Sequence, residues 1–144
     1  MRAVRTHDLH HVVTGYATNV VGEAEIGAWE IASGCAGFAA AWILNLFALA
    51  LGLASDPAAT WRAFLRGRRT RNLYRAAYDD ALLAARVGEV RARLGLDAAS
   101  SRSPGPATPG DRAAFAAWAS AAISLALATL ALLAAPLWLT LALA

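Results

Sequence analysis

The residues able to do chemistry crowd one end of this chain. All three histidines fall within the run His7-Asp8-Leu9-His10-His11, and Glu23 follows His11 after eleven intervening residues. On a helix, residues four apart share a face, so His7 and His11 point the same way. Asp8 lies about 100° round from His7 and three residues before His11, which lets it lean toward the same point. Glu23 must come from a second element, folded back by a turn over Thr14 to Asn19. Two imidazoles and one or two carboxylates around one point suit zinc, or an iron(II)-type site with open positions. The single cysteine, Cys35, is remote in sequence, so a closed, sulfur-rich structural site is not expected. An open position would allow Lewis-acid chemistry, or activation of water or dioxygen. The plainer reading of the same residues is an exposed polar N-terminus. His10 faces away from His7 and His11 and reads as support or packing. Glu25 and Glu30 read as a solvated face, or as support for the ligands, rather than as ligands.

The rest of the chain must position that group. Of its 144 residues 58% are hydrophobic and only 16% charged, against about 45–50% and about 25% in an ordinary soluble domain. Such an apolar excess needs a membrane, a lipid ligand or a partner to cover it. A first helix is expected over residues 5–14, closed by Gly15. Thr18 and Asn19 can cap a second helix carrying Glu23, Glu25 and Glu30. No charge then appears before Asp56. That run, rich in leucine around Trp42 and Phe47, is long enough for a span of about 20 residues. Ser33, Gly34 and Gly37 weaken its start, and Asn45 would be costly facing lipid. A full span and a buried or membrane-dipping helix both stay open for residues 31–53. Asp56-Pro57 ends this helix and starts another. Residues 86–95 suit a short amphipathic helix ended by Gly95.

From Asp56 to Arg112 eleven arginines face six acidic residues. Arg62, Arg66, Arg68, Arg69 and Arg71 are interleaved with aromatics. Beside apolar segments this reads as binding to anionic head groups, worth about 1 kcal/mol per arginine near the surface, in preference to nucleic acid. Residues 97–112 are rich in Ser, Pro, Gly and Ala and read as a linker. Residues 113–144 carry no charge and read as a C-terminal transmembrane anchor, with Pro136 kinking or ending the helix and Trp138 at an interface. The upstream arginines place the linker side in the cytoplasm, as for a bacterial-type inner membrane. The expected fold is all-α: a small helical bundle with hydrophobic helices and a C-terminal transmembrane helix. A homo-oligomer is one state open to such a chain.

The spacing His7, Asp8, His11, Glu23 also resembles the H-D-x-x-H-x11-E signature of the coenzyme Q biosynthesis protein 4 family. The surrounding text "HHVVTGYATNVVGEAEIGAWE", the basic "FLRGRRTRNL" and the helix "VGEVRARLGL" are similar to that family in the same order. The resemblance covers residues 5 to about 97, so residues 1–96 are expected to form the family-like helical domain. It implies a divalent metal, usually taken as zinc, on His7, Asp8, His11 and Glu23, which would also be the catalytic residues. It implies oxidative decarboxylation at C1 of a polyprenylated hydroxybenzoate in ubiquinone biosynthesis, with residues 31–53 lining a groove for the isoprenoid tail. The implied partners are that quinone precursor, the membrane and other quinone-biosynthesis proteins. A non-catalytic lipid-binding scaffold is the alternative. Members of the family carry a helical portion before the motif, so a longer front end, or one supplied by another subunit, is expected. The tail from Arg112 onward is not a family feature and reads as an added anchor.

Overall fold

The computed structural model describes residues 2–96 and 104–142, with side chains to residue 136. Among the described residues there are seven helices and no strand: α1 (Arg2–Thr14), α2 (Val20–Ser33), α3 (Ala39–Ser55), α4 (Pro57–Arg69), α5 (Asp80–Ala84), α6 (Val87–Leu94) and α7 (Pro109–Ala142). The all-α expectation holds, with one helix long and apolar enough to cross a membrane.

Local chemistry explains the boundaries. Gly15 sits at φ 78°, in the left-handed region where glycine costs least, and its N–H closes α1 on the His11 carbonyl at 2.9 Å. The Asn19 side chain caps α2 by accepting from the Gly22 N–H at 3.0 Å. Gly34 ends α2 at φ 90°, so the uncharged run from Ile31 to Leu53 is not one helix. Its second part, α3, has 17 residues, short of the about 20 that a span needs. One stripe of α3, with Ala41, Asn45, Leu49 and Gly52, is buried, while Ile43, Leu44 and Leu51 remain exposed. Asp56 caps α4 through Ala59 N–H at 2.9 Å, with Pro57 in its first turn.

Helix α2 is the centre of the bundle, packed between α3 and α4. Its Ile26, Ala28 and Trp29 are completely buried. Small residues allow the approach: a Cβ on Gly67 of α4 would lie 2.4 Å from the Trp29 carbonyl oxygen. Helix α6 lies on α1, where Val90 and Leu94 join Val13, Ile26, Trp29 and Leu73 in one core cluster. Arg91 reaches across to donate to the carbonyls of Val13 at 2.8 Å and Val12 at 3.1 Å, satisfying otherwise unpaired groups at the end of α1.

Helix α7 begins at Pro109, four residues before the expected anchor and inside the expected linker. The cause is a reciprocal cap. Thr108 donates through N–H and Oγ1 to Asp111 Oδ2, and Asp111 N–H donates back to Thr108 Oγ1 at 3.1 Å. Proline in the first turn is compatible with this start. Pro136 lies within α7 and does not end it. The linker residues 97–103, and the side chain of Trp138, lie outside the described residues. The first half of α7 is docked. Trp118 stacks on Trp42 at 5.0 Å between centroids, Phe115 meets Trp61 and Phe64 edge-on, and Ala122 is fully buried. Beyond it Leu127, Leu130, Leu132 and Leu133 are 60–74% exposed.

Candidate metal centre

Helix α1 presents His7 and His11 on one face, and the Gly15–Asn19 turn brings the first turn of α2 back beside them. His7 Nε2 lies 3.3 Å from His11 Nε2 and 3.3 Å from Glu23 Oε2, and His11 Nε2 lies 3.2 Å from Glu23 Oε1. One ligand atom from each of the three residues falls within 4.8 Å of the others. Asp8 is exposed and stands outside this converging group. Position 8 turns away from the α1 face that meets α2, so the expected lean toward the shared point does not occur.

The other ring nitrogens show what the three groups can hold. His7 Nδ1 is 2.9 Å from Glu30 Oε1, and His11 Nδ1 is 3.2 Å from the Tyr16 carbonyl oxygen. A carboxylate and a carbonyl can only accept, so both Nδ1 atoms carry the proton. Neutral rings then turn two Nε2 lone pairs toward each other and toward a carboxylate. Three acceptors this close call for a positive charge among them. One proton can bridge only two of the groups, whereas a metal ion meets all three. Histidine ligands that donate their second N–H to a carboxylate or carbonyl are the usual support of such sites. The donor set therefore fits a divalent ion of the zinc or iron(II) kind.

Behind His7 lies a buried polar hub that sequence reasoning only touched. Glu30 is 0% exposed, so it is not part of a solvated face. Its Oε1 accepts from His7 and, at 2.6 Å, from His10 Nδ1. Its Oε2 accepts from Tyr74 OH at 2.6 Å and from the Asn45 side-chain amide. Burial alone would push the Glu30 carboxyl up, but the hydrogen bonds from His10 and His7 outweigh it and hold it at about 2. Burial lowers His10, whose Nε2 already accepts from the Leu73 N–H at 2.9 Å. A second ring proton would face that N–H, so His10 stays neutral. Burial also opposes charge on His7, but the hydrogen bond and charge of Glu30, and then of Glu23, leave its pKa raised. Burial and then the Glu30 charge raise Tyr74, which keeps its hydroxyl a donor.

The centre opens on a cavity of about 350 Å³ between α1 and α3, with Ala3, Val4, Ala40, Leu44 and Ala48 on its walls and His7, Glu23, Asn45 and Tyr74 at its polar end. The arginines expected at head groups are mostly engaged elsewhere. Arg66 is buried, donates to the Thr14 carbonyl at 3.0 Å and stacks over the Tyr16 ring at 5.1 Å, which corrects its expected place on a lipid-facing surface. Arg68 and Arg69 pair with Asp111 at 3.4 and 3.2 Å, joining α4 to α7. Arg62 and Arg71 are exposed.

Fold and site together define an all-helical chain with a histidine–carboxylate cluster beside an apolar cavity. Comparison with protein-family models, with curated proteins and with solved structures gives no match.

Proposed function

We propose that this chain is a membrane-associated protein that holds a divalent metal, zinc by its donor set, on His7, His11 and Glu23. The observation that carries this reading is the pair of pinned Nδ1–H groups, which turns both Nε2 lone pairs onto the Glu23 carboxylate at the polar end of the cavity. A bound divalent ion would supply Lewis acidity to an oxygen of the ligand. The aliphatic walls from α1 and α3 take an apolar tail and keep water from the head. Tyr74 and Asn45 meet the head beside Glu23. A ring carboxylate or phenol on a long isoprenoid chain has this chemistry, so the polyprenylated hydroxybenzoate and its oxidative C1 decarboxylation in ubiquinone biosynthesis are the substrate and reaction that we assign, the carboxyl leaving as CO2 and the ring carbon taking one oxygen atom of dioxygen while an external two-electron donor reduces the other to water. A second reading is a lipid-binding scaffold for other quinone enzymes. It is favoured by the cavity lining, in which only His7, Glu23, Asn45 and Tyr74 are polar.

Metal analysis of the full chain purified in detergent tests the first step. The expected result is one equivalent of zinc, lost in His11→Ala and in Glu23→Ala with helicity unchanged. No metal in the native chain, or full metal in both variants, overturns it. Complementation of a quinone-deficient strain separates the two readings. Loss of quinone in Glu23→Ala, with protein level and enzyme assembly intact, supports chemistry, and collapse of assembly supports the scaffold.

A further inference from the structure

Glu30 is an unusual expense for a helix interior. A carboxylate with no exposure needs several strong donors, and this one has four, from α1, α3 and the segment after α4. All four are neutral groups when His7 and His10 are neutral. Two pairs of donors on two oxygens suit a carboxylate, since a glutamine would turn its own amide donors toward one pair. The buried negative charge also favours positive charge nearby, and the candidate metal ligands lie one imidazole away, across His7.

We infer that Glu30 is a positioning residue for the metal centre: its Oε1 holds the His7 Nδ1 proton, so that the His7 Nε2 lone pair faces His11 and Glu23. This rests on the metal reading above and deepens it. Glu30 also gives the site a direction. Its second oxygen is held by Tyr74 and Asn45, both of which line the cavity, so one carboxylate sets both the ligand ring and the polar end of the cavity wall. His10 contributes from behind. Donating at 2.6 Å to the same Oε1, with its own Nε2 fixed by the Leu73 N–H, it stops Glu30 from rotating away from His7. Asp8, the other acid beside the histidines, has no comparable placement.

The test uses the full chain in micelles and has two arms. In the first, nitrogen-detected NMR of the metal-free native protein at mildly alkaline pH reads the ring tautomers. His7 is expected with its proton on Nδ1 and a bare Nε2, against the Nε2–H form that free imidazoles prefer. An Nε2–H tautomer overturns the proposal. In the second, zinc is titrated into the native protein, Glu30→Gln and, as a control, Glu89→Gln. Loss of a carboxylate behind a ligand histidine lowers metal affinity by about 10–100-fold, and that loss is expected for Glu30→Gln. Glu89→Gln removes an exposed carboxylate of α6, 4.0 Å from Arg93 and remote from the histidines, so its zinc affinity should match that of the native protein. A Glu30→Gln protein that melts lower but binds zinc as the native does would show a structural role only and overturn the proposal. Should Glu30→Gln fail to fold, the native tautomer decides. A native chain that shows the Nδ1–H form on His7 yet binds no zinc would sink the metal reading while leaving the hold of Glu30 on that ring in place.

Discussion

Gly67→Ala is the sharpest probe of the packing that holds the site. Helix α4 crosses α2 with Gly67 against the backbone of Trp29, one residue before Glu30. The added Cβ would lie 2.4 Å from the Trp29 carbonyl oxygen and 2.7 Å from the Ala32 Cβ, roughly 1 Å inside van der Waals contact. Neither neighbour is the tip of a flexible side chain, so α4 must lift away. Overpacking of this kind costs about 1–3 kcal/mol. Lifting α4 also stretches the hydrogen bond from Trp29 Nε1 to Thr70 Oγ1, now 2.9 Å, for about 1 kcal/mol more. At about 2–4 °C per kcal/mol for a chain of this size, Tm should fall by roughly 5–15 °C. Thermal melting followed by circular dichroism in micelles measures it. Gly88→Ala is the control, because a Cβ there meets nothing within 4 Å and alanine in a helix is favoured by about 1 kcal/mol. The two substitutions should move Tm in opposite directions. A Gly67→Ala protein that melts with or above the native chain would refute the close α2–α4 approach.

Three further outcomes follow from named contacts. Glu30, held at about 2 against an ordinary 4.5, stabilises the metal-free fold above pH 4.5, and that stability is lost as the pH falls toward 2; His10, lowered from 6.5, adds a loss of the same sign below 6.5, while His7, raised, works the other way. The urea midpoint of the metal-free chain should therefore fall as the pH drops from about 4.5 toward 2, and a midpoint constant over that window would contradict the hub. Arg91→Met removes two donors from the end of α1 at Val12 and Val13 and should cost about 1–2 kcal/mol in urea unfolding, with weaker zinc binding as the turn bearing His11 frays. Trp118→Ala removes the stack on Trp42, worth about 0.5–1.5 kcal/mol, and trypsin should then cut after Arg112 roughly two- to tenfold faster in micelles; an unchanged rate would mean that α7 is not held there.

Much of the fold could be read from local signals. Gly15, Asn19, Asp56-Pro57 and Gly95 mark helix ends through backbone chemistry that acts within a few residues, and each stands where such chemistry puts it. The pairing of His7 with His11 is likewise a matter of helical period. What stayed out of reach depends on distant partners. Whether Glu30 is solvated or buried turns on Asn45 and Tyr74, 15 and 44 residues away, and no periodicity carries that. A hint was present: Glu30 is the last charge before an apolar run, and Asn45 is a polar residue inside it. Asp8 misled because spacing along one helix gives angle but not the side from which α2 arrives. The arginines misled because a count of charge cannot show that Arg66 is spent on Thr14 and Tyr16, or that Arg68 and Arg69 meet Asp111. The start of α7 was hidden because proline and glycine at 109 and 110 looked like linker, while the cap that overrides them needs Thr108 and Asp111 together.

If α7 crosses a bilayer, its docking on α3 and α4 fixes how the cavity faces the membrane. A tether would leave the cavity free to face any direction. Here the helix is held along α3 and α4 as far as Ala122, through Trp42, Trp61 and Phe64 on one side of the contact and the Arg68 and Arg69 pairs with Asp111 at its start. From Ile123 to Ala142 about 20 residues remain, about 30 Å of helix, which matches the hydrocarbon thickness of a bilayer. A spanning helix docked in this way would carry the bundle at its own tilt. Helix α3, which forms one wall of the cavity and packs against α7, would then keep a fixed height above the membrane plane, with exposed Ile43, Leu44 and Leu51 on the same helix. Leu44 belongs both to that exposed set and to the cavity lining. An apolar chain entering the cavity over Leu44 would meet an apolar wall before His7 and Glu23. Leu44→Lys puts a charge on that path. With the bundle intact and zinc binding unchanged, it should weaken capture of a long-chain phenol from vesicles while leaving a short water-soluble analogue unaffected. Equal loss for both ligands would mean that the route lies elsewhere.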